Sequence, residues 1–355
     1  MHIKIFGAPT SGNKMIRTLM DDILHKAKIP CEISEVQDIA YFLEKNIESI
    51  PAIQMDDDAI IGLKSNGSFN QSLREAINHI LSVQNYGELQ KFIIPIDFSD
   101  KSINALSYGH RLATDLGAVT KVIHVYNSQV ESNFCCGKLD TEEDTKQRLT
   151  RLVKSIDHDW GSDILKASFI SPEFKTGPIS NNILKSAEEN NSELIIMSSK
   201  NQNSNSFKHH GSISFDIIDK SNCPTLVIPP EANYKGLNKV LLAVGYGKIN
   251  TAAINTFKNI YQRLDSEVHI LQSKKNPNYD DNLRMVTENL PALNILPTLL
   301  KDENFISEIG EYAERNQIDS IALSPPMKTE SSSILKKMTL RAVNVNNSIP
   351  VLLLK

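Results

Sequence analysis

Apolar and polar positions change period repeatedly along the chain. Residues 3–6 read as a short strand, and residues 7–12 are a turn-rich loop. Met15, Ile16, Leu19, Ile23 and Leu24 then fall at helical spacing, which predicts a helix over 13–27 with Thr10 or Ser11 as its cap. A strand over 31–36, a helix over 38–45 and a hairpin of 52–55 with 60–63 around Asp56, Asp57 and Asp58 follow. Leu73, Ala76, Ile77, Ile80 and Leu81 predict a further helix over 70–83, so the first 85 residues read βαβαββα.

From Lys91 the texture differs. Phe92, Ile93, Ile94, Pro95 and Ile96 form a continuous apolar run ending in Asp97. A strand buried on both faces, delivering a polar group at its C-terminal edge, has this pattern. Helices are predicted over 102–116, 141–159, 179–190 and 211–219, with strands over 119–125, 194–197 and 224–228 and another around Phe169, Ile170 and Phe174. The alternation predicts an α/β fold with a parallel sheet covered on both faces.

The same texture then recurs. Residues 239–244 resemble 91–96, residues 320–324 resemble 193–198, and residues 348–353 resemble 222–227. Lys239 lies 148 positions after Lys91 and Pro350 lies 126 after Pro224, so the second copy is shorter by about 22 residues in its middle. The reading is three domains, over 1–85, 90–230 and 237–355.

Composition narrows the function classes. A length of 355 residues suits two or three domains, and 40% hydrophobic with 23% charged residues is ordinary for a folded chain. With 38 Lys and Arg against 42 Asp and Glu, the net charge of −4 provides no global cationic field, so neither a nucleic-acid nor a membrane partner is expected. The longest apolar runs fall far short of the roughly 20 residues that span a bilayer. The first residues reach Gly7 and Pro9 before a signal-type apolar region develops, and a cytoplasmic location is expected.

Cys31, Cys135, Cys136 and Cys223 have neither disulfide-framework nor paired zinc-site spacing. The adjacent His209 and His210 lack further ligands at metal spacing, and Trp160 is solitary, so no metal site and no aromatic platform is expected. No Ser, His and Asp arrangement carries a nucleophile-elbow signature, and catalysis is not expected.

The order βαβαββα, with Pro51 before the third strand, resembles the thioredoxin and glutaredoxin superfamily over residues 1–85. The resemblance implies a cis Pro51 facing a redox loop at the first helix. There a helix N-terminus stabilises a thiolate. Here Thr10 and Asn13 stand where the two cysteines would, and Cys31 is placed on a strand. The expectation is a redox-inactive, thioredoxin-like docking or dimerising module.

Pro95-Ile96-Asp97-Phe98-Ser99, His124-Val125, Gly211-Ser212, Cys223-Pro224 and Val227-Ile228-Pro229 make residues 90–230 resemble the universal stress protein family. The resemblance implies a Rossmann-like, doubly wound domain. Its nucleotide-binding members carry a loop of Gly, two residues, Gly, nine residues, Gly, then Ser or Thr. Such a loop brings backbone N–H groups and a helix N-terminus to phosphates. Ser198, Asn201, Gly211 and Ser212 occupy those places, with two of the glycines replaced.

Carried over, the resemblance implies cofactor-binding positions at Pro95, Asp97 and Val125, with Asp97 and Val125 at the adenine and ribose end. Ser198, Asn201, Gly211 and Ser212 would surround the phosphates of ATP or a related adenine nucleotide, with Lys200, Lys208, His209 and His210 adding positive charge. The competing reading makes Asp97 a capping carboxylate and residues 201–205 a plain polar loop. In the second copy Gly245, Ser324, Met327, Lys337 and Met338 replace the site residues, and Pro325 and Pro326 remove N–H donors. No nucleotide is expected there.

The family's dimers pair through the last strand. This implies an intramolecular pseudo-dimer in which residues 225–228 and 351–354 pair antiparallel, with a homodimer left open. Two functions stand side by side: a non-catalytic ATP sensor or regulator in the stress response, and a nucleotide-free scaffold whose first domain docks an unknown protein partner. Residual disulfide reductase activity would have to rest on Cys31.

Overall fold

A computed structural model describes the 355-residue chain apart from residues 9–10, 27–29, 46, 48–49, 57–59, 64–75, 77–89, 129–140, 160–168, 200–212, 245–247, 274–275, 291–293, 301–304 and 325–347. The chain forms two compact units. One comprises Met1–Gln90, Gly117–Val119 and Leu152–Ile170, and the other Lys91–Leu116, Thr120–Arg151 and Ser171–Lys355.

The first unit is built on β1 (His2–Phe6), α1 (Ser11–Lys26), β2 (Glu32–Val36), α2 (Ile39–Glu44), β3 (Ala52–Met55) and β4 (Ile61–Gly62). The sheet order is β2-β1-β3-β4, with β1 parallel to β2 and antiparallel to β3, and β3 antiparallel to β4. Ile16, Met20 and Leu24 recur every four residues on α1 and are fully buried against Ile3, Ile5, Ile53 and Met55. Asp38 caps α2, its Oδ1 accepting from the Ala40 N–H at 2.9 Å. The Ile50–Pro51 peptide before β3 is cis. Of the helix predicted over 70–83 only Ala76, helical and buried, is among the described residues.

The second unit carries two successive runs of alternating elements. The first is β5 (Lys91–Pro95), α3 (Asp100–Leu116), β6 (Val119–Tyr126), α4 (Glu142–Asp159), β7 (Phe169–Thr176), α5 (Ile179–Glu189), β8 (Leu194–Ser198), α6 (Ile213–Lys220) and β9 (Thr225–Ile228). The second is β10 (Lys239–Val244), α7 (Thr251–Tyr261), β11 (Glu267–Ser273), α8 (Tyr279–Asn289), β12 (Ile295–Leu300), α9 (Phe305–Arg315), β13 (Ser320–Ser324) and β14 (Val351–Leu353).

All ten strands join one sheet, β12-β11-β10-β13-β14-β9-β8-β5-β6-β7. Each run therefore has its third strand outermost, then its second, first, fourth and fifth. The β5–β8, β8–β9, β10–β11, β10–β13, β11–β12 and β13–β14 pairs are parallel, and the runs meet antiparallel with Val351 opposite Val227, Leu352 opposite Leu226 and Leu353 opposite Thr225. Pairing here covers two apolar edges. One core crosses the junction, since Ile218 and Val227 pack with Leu241, Ile321, Val351 and Leu353. Contacts consequently show no break between the segments read as 90–230 and 237–355.

The connection between the runs lies on α3. Asn104 Nδ2 donates to the carbonyls of Pro229, Pro230 and Ala232 at 3.3, 3.2 and 3.1 Å, and the Tyr234 hydroxyl donates to Asp115 Oδ2 at 2.7 Å. Gly109 lets α3 approach the sheet, because a Cβ there would come 2.7 Å from Ile94 Cδ1 and 3.0 Å from Ile196 Cδ1. No helix among the described residues is long and apolar enough to cross a membrane.

Candidate functional site

β5 ends at Pro95, and the sheet contact continues one residue further, the Ile96 N–H donating to Ile123 O at 2.9 Å. The chain then turns into α3 through Asp97, Phe98 and Ser99. α3 starts two residues earlier than its apolar spacing predicts because Ser99 caps it: Ser99 Oγ accepts from the Ser102 N–H at 3.3 Å, and Ser102 Oγ donates to Ser99 O at 2.9 Å.

Asp97 Oδ1 accepts from both the Ser99 N–H, at 3.0 Å, and the Ser99 hydroxyl, at 2.5 Å. The Asp97 N–H in turn donates to Ser102 Oγ at 3.3 Å. Burial around the carboxyl group acts to raise its pKa, but the hydrogen bonds from Ser99 and Ser102 outweigh that effect and hold it below the usual aspartate range. Asp97 is thus an ionised carboxylate on an exposed residue, organised by the turn and open to a further donor. The capping reading and the ligand reading share these contacts, because Oδ1 serves the turn while the residue stays accessible.

Between them Phe98 adopts φ 59°, a left-handed conformation that costs a bulky residue about 1–2 kcal/mol. Two contacts hold its ring. The His124 ring lies 4.7 Å away between centroids, and the Arg148 guanidinium carbon sits 4.4 Å over the Phe98 centroid. His124 is buried on β6, and its Nδ1 is 2.9 Å from Ile96 O; a carbonyl only accepts, so Nδ1 carries the proton. Phe174 of β7 lies 5.9 Å from His124 and 6.4 Å from Tyr126, extending an aromatic row across the strand ends.

Val125 is buried, its side chain packed with Ile93, Ile123, Ile195 and Met197. Ser198 ends β8 half-buried, in register with Ile228, and the next N–H, of Ser199, donates to Ile228 O at 2.9 Å. Because β5 lies between β8 and β6, the parallel sheet brings Pro95, Asp97, Val125 and Ser198 to one edge. In open α/β sheets this is the edge where ligands collect. Asn201, Gly211 and Ser212 lie outside the described residues, as do Lys200, Lys208, His209 and His210.

Phe98 and His124 already stood inside the sequence landmarks, but nothing marked them as a stack. Arg148 carried no signal at all, because its place over Phe98 depends on how α4 packs, not on any pattern around residue 148.

The second run treats the same edge differently. Gln272, level with Val244 in the register, and Asn282 of α8 are both buried. Asn282 Oδ1 accepts from the Ile249 N–H at 2.9 Å, Asn282 Nδ2 donates to Gln272 Oε1 at 3.2 Å, and Gln272 Nε2 donates to Tyr279 O at 3.4 Å. Amide side chains thus occupy that edge and satisfy one another. Ser324 is buried at the end of β13, while Gly245, Met327, Lys337 and Met338 lie outside the described residues.

The two described thiols, Cys31 and Cys223, are not poised for exchange. Cys223 Sγ donates to Ser192 O at 3.0 Å and burial pushes its pKa up to about 12. Burial also raises the Cys31 thiol, which immediately precedes β2 rather than lying within it. Asn13, on α1, is buried against Gly7, where a Cβ would come 2.8 Å from the amide. Thr10, Cys135 and Cys136 lie outside the described residues. Among the described residues no group of three or more His, Cys, Asp and Glu is placed to hold a metal ion.

Residues 88–229 match the Universal stress protein family. A universal stress protein from Archaeoglobus fulgidus DSM 4304 is similar in structure with a TM-score of 0.56 and 17% identity, over 75% of this chain and 96% of that one. A functionally unknown protein from Pseudomonas aeruginosa PAO1 follows with a TM-score of 0.51 and 13% identity, over 75% and 92%. A universal stress protein in complex with cAMP covers 39% of this chain and 96% of its own at 14% identity and a TM-score of 0.32. At these identities the likeness is one of fold. No curated protein matches the chain.

Proposed function

We propose that this chain, which carries a universal stress protein domain over residues 88–229, is a non-catalytic adenine-nucleotide sensor or regulator of the stress response, with ATP as its ligand and the cytoplasm as its place of action. The observation that carries the reading is the ionised Asp97 carboxylate at the same sheet edge as Val125 and Ser198. An acceptor-only group suits a ribose diol, which offers two O–H donors. Asn201, Gly211 and Ser212 would complete the phosphate end through their N–H groups. Binding changes a partner surface only through different affinities for two states of the chain.

In this reading the segments 90–230 and 237–355 are tandem universal stress protein domains forming an intramolecular pseudo-dimer, and only the first binds nucleotide. The identical strand order of the two runs and their β9–β14 junction support it, as does the amide cluster on the second edge. The test is the nucleotide released when freshly purified protein is denatured, followed by titration with Mg-ATP. About one nucleotide per chain is expected, with Asp97→Ala weakening binding by about ten- to a hundredfold, the worth of a hydrogen bond to a charged group. Protein that releases no nucleotide and shows no thermal shift with millimolar Mg-ATP overturns the reading.

A second reading, a nucleotide-free scaffold, draws on the first unit. Its strand order supports a thioredoxin-like module over 1–85 without redox chemistry. Leu43 is 75% exposed and Ile50 48%, so two large apolar side chains of this unit face solvent. Deleting residues 1–85 should then remove partners recovered by pull-down from stressed cells. A truncated chain that retains all of them rules out docking through this module.

A further inference from the structure

We propose that Arg148 is a positioning residue: its guanidinium, stacked on Phe98, holds the left-handed turn that presents the Asp97 carboxylate at the sheet edge. This deepens the nucleotide reading where a ligand is concerned, but the turn itself can be tested without one.

Phe98 lies between the acceptor Asp97 and the donor Ser99 and adopts φ 59°. Both Ser99 hydrogen bonds to Asp97 Oδ1 require that turn. If Phe98 relaxed to negative φ, Ser99 would swing away and the carboxylate would lose its organising donors. A bulky residue stays in this region only when its surroundings hold it there. His124 supplies one hold, and its ring is itself fixed by the hydrogen bond to Ile96 O. Arg148 supplies the other from α4, fifty residues further along the chain.

The start of α4 is fixed in turn. Thr141 Oγ1 accepts from the Asp144 N–H at 3.2 Å, and Asp144 Oδ2 accepts from the Thr141 N–H at 3.2 Å and its hydroxyl at 2.7 Å. A well-capped helix thus delivers the guanidinium to the loop.

The second run provides an internal comparison. α8 follows β11 as α4 follows β6, and it too pins the loop after its run's first strand, through Asn282 and the Ile249 N–H. At the offset of 148, Gly245, Tyr246 and Gly247 stand where Asp97, Phe98 and Ser99 stand, so no carboxylate is there to present. Both runs therefore pin that loop from the equivalent helix, and in the first the pin is a cation over an aromatic ring beside an aspartate.

The experiment uses the full-length protein with selectively labelled aspartate and follows the Asp97 carboxyl titration by NMR. Wild type is expected to titrate below the ordinary aspartate value. Arg148→Ala should move it upward by about half a unit or more, and Arg148→Lys, which keeps a cation over the ring, should restore it. Phe98→Gly removes the ring and accepts positive φ freely, so in that background Arg148→Ala should change nothing. An Asp97 titration unmoved by Arg148→Ala, or moved equally in the Phe98→Gly background, overturns the proposal.

The ligand arm compares ATP with 2′,3′-dideoxy-ATP. The preference for the ribose diol, expected at about tenfold in wild type, should fall towards one in Arg148→Ala and return in Arg148→Lys. A preference that survives Arg148→Ala also counts against the positioning role. If wild type binds neither triphosphate, the nucleotide reading falls, and the Asp97 titration alone decides for or against Arg148.

Discussion

Leu352→Ala is expected to lower the unfolding free energy by about 3 kcal/mol, within the usual span for a fully buried leucine, because Leu352 lies in the middle of the β9–β14 junction, where Leu226 stands directly opposite. Both side chains are almost wholly removed from solvent, and their strand neighbours Val227, Val351 and Leu353, on the other face of the sheet, belong to a core that draws residues from both runs. Leu226→Ala should cost a similar amount. Residues opposed across an antiparallel pair interact, so the double variant should be less unstable than the sum of the singles by about 0.2–1 kcal/mol. Denaturant unfolding of the four proteins measures this coupling. The shared core further implies that both runs of the second unit unfold in one transition. A coupling of zero, or separate transitions for the two runs, would mean that the strands are not neighbours in solution.

Acidification should destabilise the protein through His110 well before the carboxylates titrate. This imidazole is buried on α3, and burial first, then the Arg111 charge, lowers its pKa to about 4 from the ordinary 6.5. The folded chain therefore keeps His110 neutral while the unfolded chain takes up a proton as pH falls below 6.5. With more protons bound in the unfolded state, stability rises with pH through this window. It is fully present above 6.5, declines as pH falls, and levels off below about 4, for a total of about 3 kcal/mol. His110→Gln keeps a neutral polar group and should flatten the dependence between pH 6.5 and 4. Equal slopes in the two proteins, from denaturant midpoints at several pH values, would show that His110 is charged or solvated in the fold.

The two predictions differ in how far the sequence foreshadowed them. Antiparallel pairing of residues 225–228 with 351–354 was already implied by the resemblance to a family whose dimers pair through the last strand. His110 looked like any helical histidine. Its neutrality follows from its burial on α3, which no spacing around residue 110 reports. Arg148 is a similar case: its stripe predicts a helix over 141–159, but the ring beneath the guanidinium belongs to a loop fifty residues earlier. Asp97 lies between these extremes. The apolar run ending in a carboxylate placed it at a strand end, and the competing reading already made it a capping carboxylate. That one oxygen serves both Ser99 donors while the residue stays exposed appears only in three dimensions.

Sequence by itself determined the order and type of the described elements up to β9, the change of texture at Lys91, and the recurrence of three of its strand segments after Lys239, because apolar periodicity is a local property of each segment. It also determined that Thr10 and Asn13, not thiols, stand at the start of α1. Tertiary structure alone decided the β9–β14 register, the left-handed turn at Phe98 with its His124 and Arg148 contacts, the amide cluster of Gln272 and Asn282, and the neutral state of His110. Each of these depends on distances and desolvation between groups remote in the chain. Periodicity carries no information about such pairs, and their energies exist only once the sheet has brought them together.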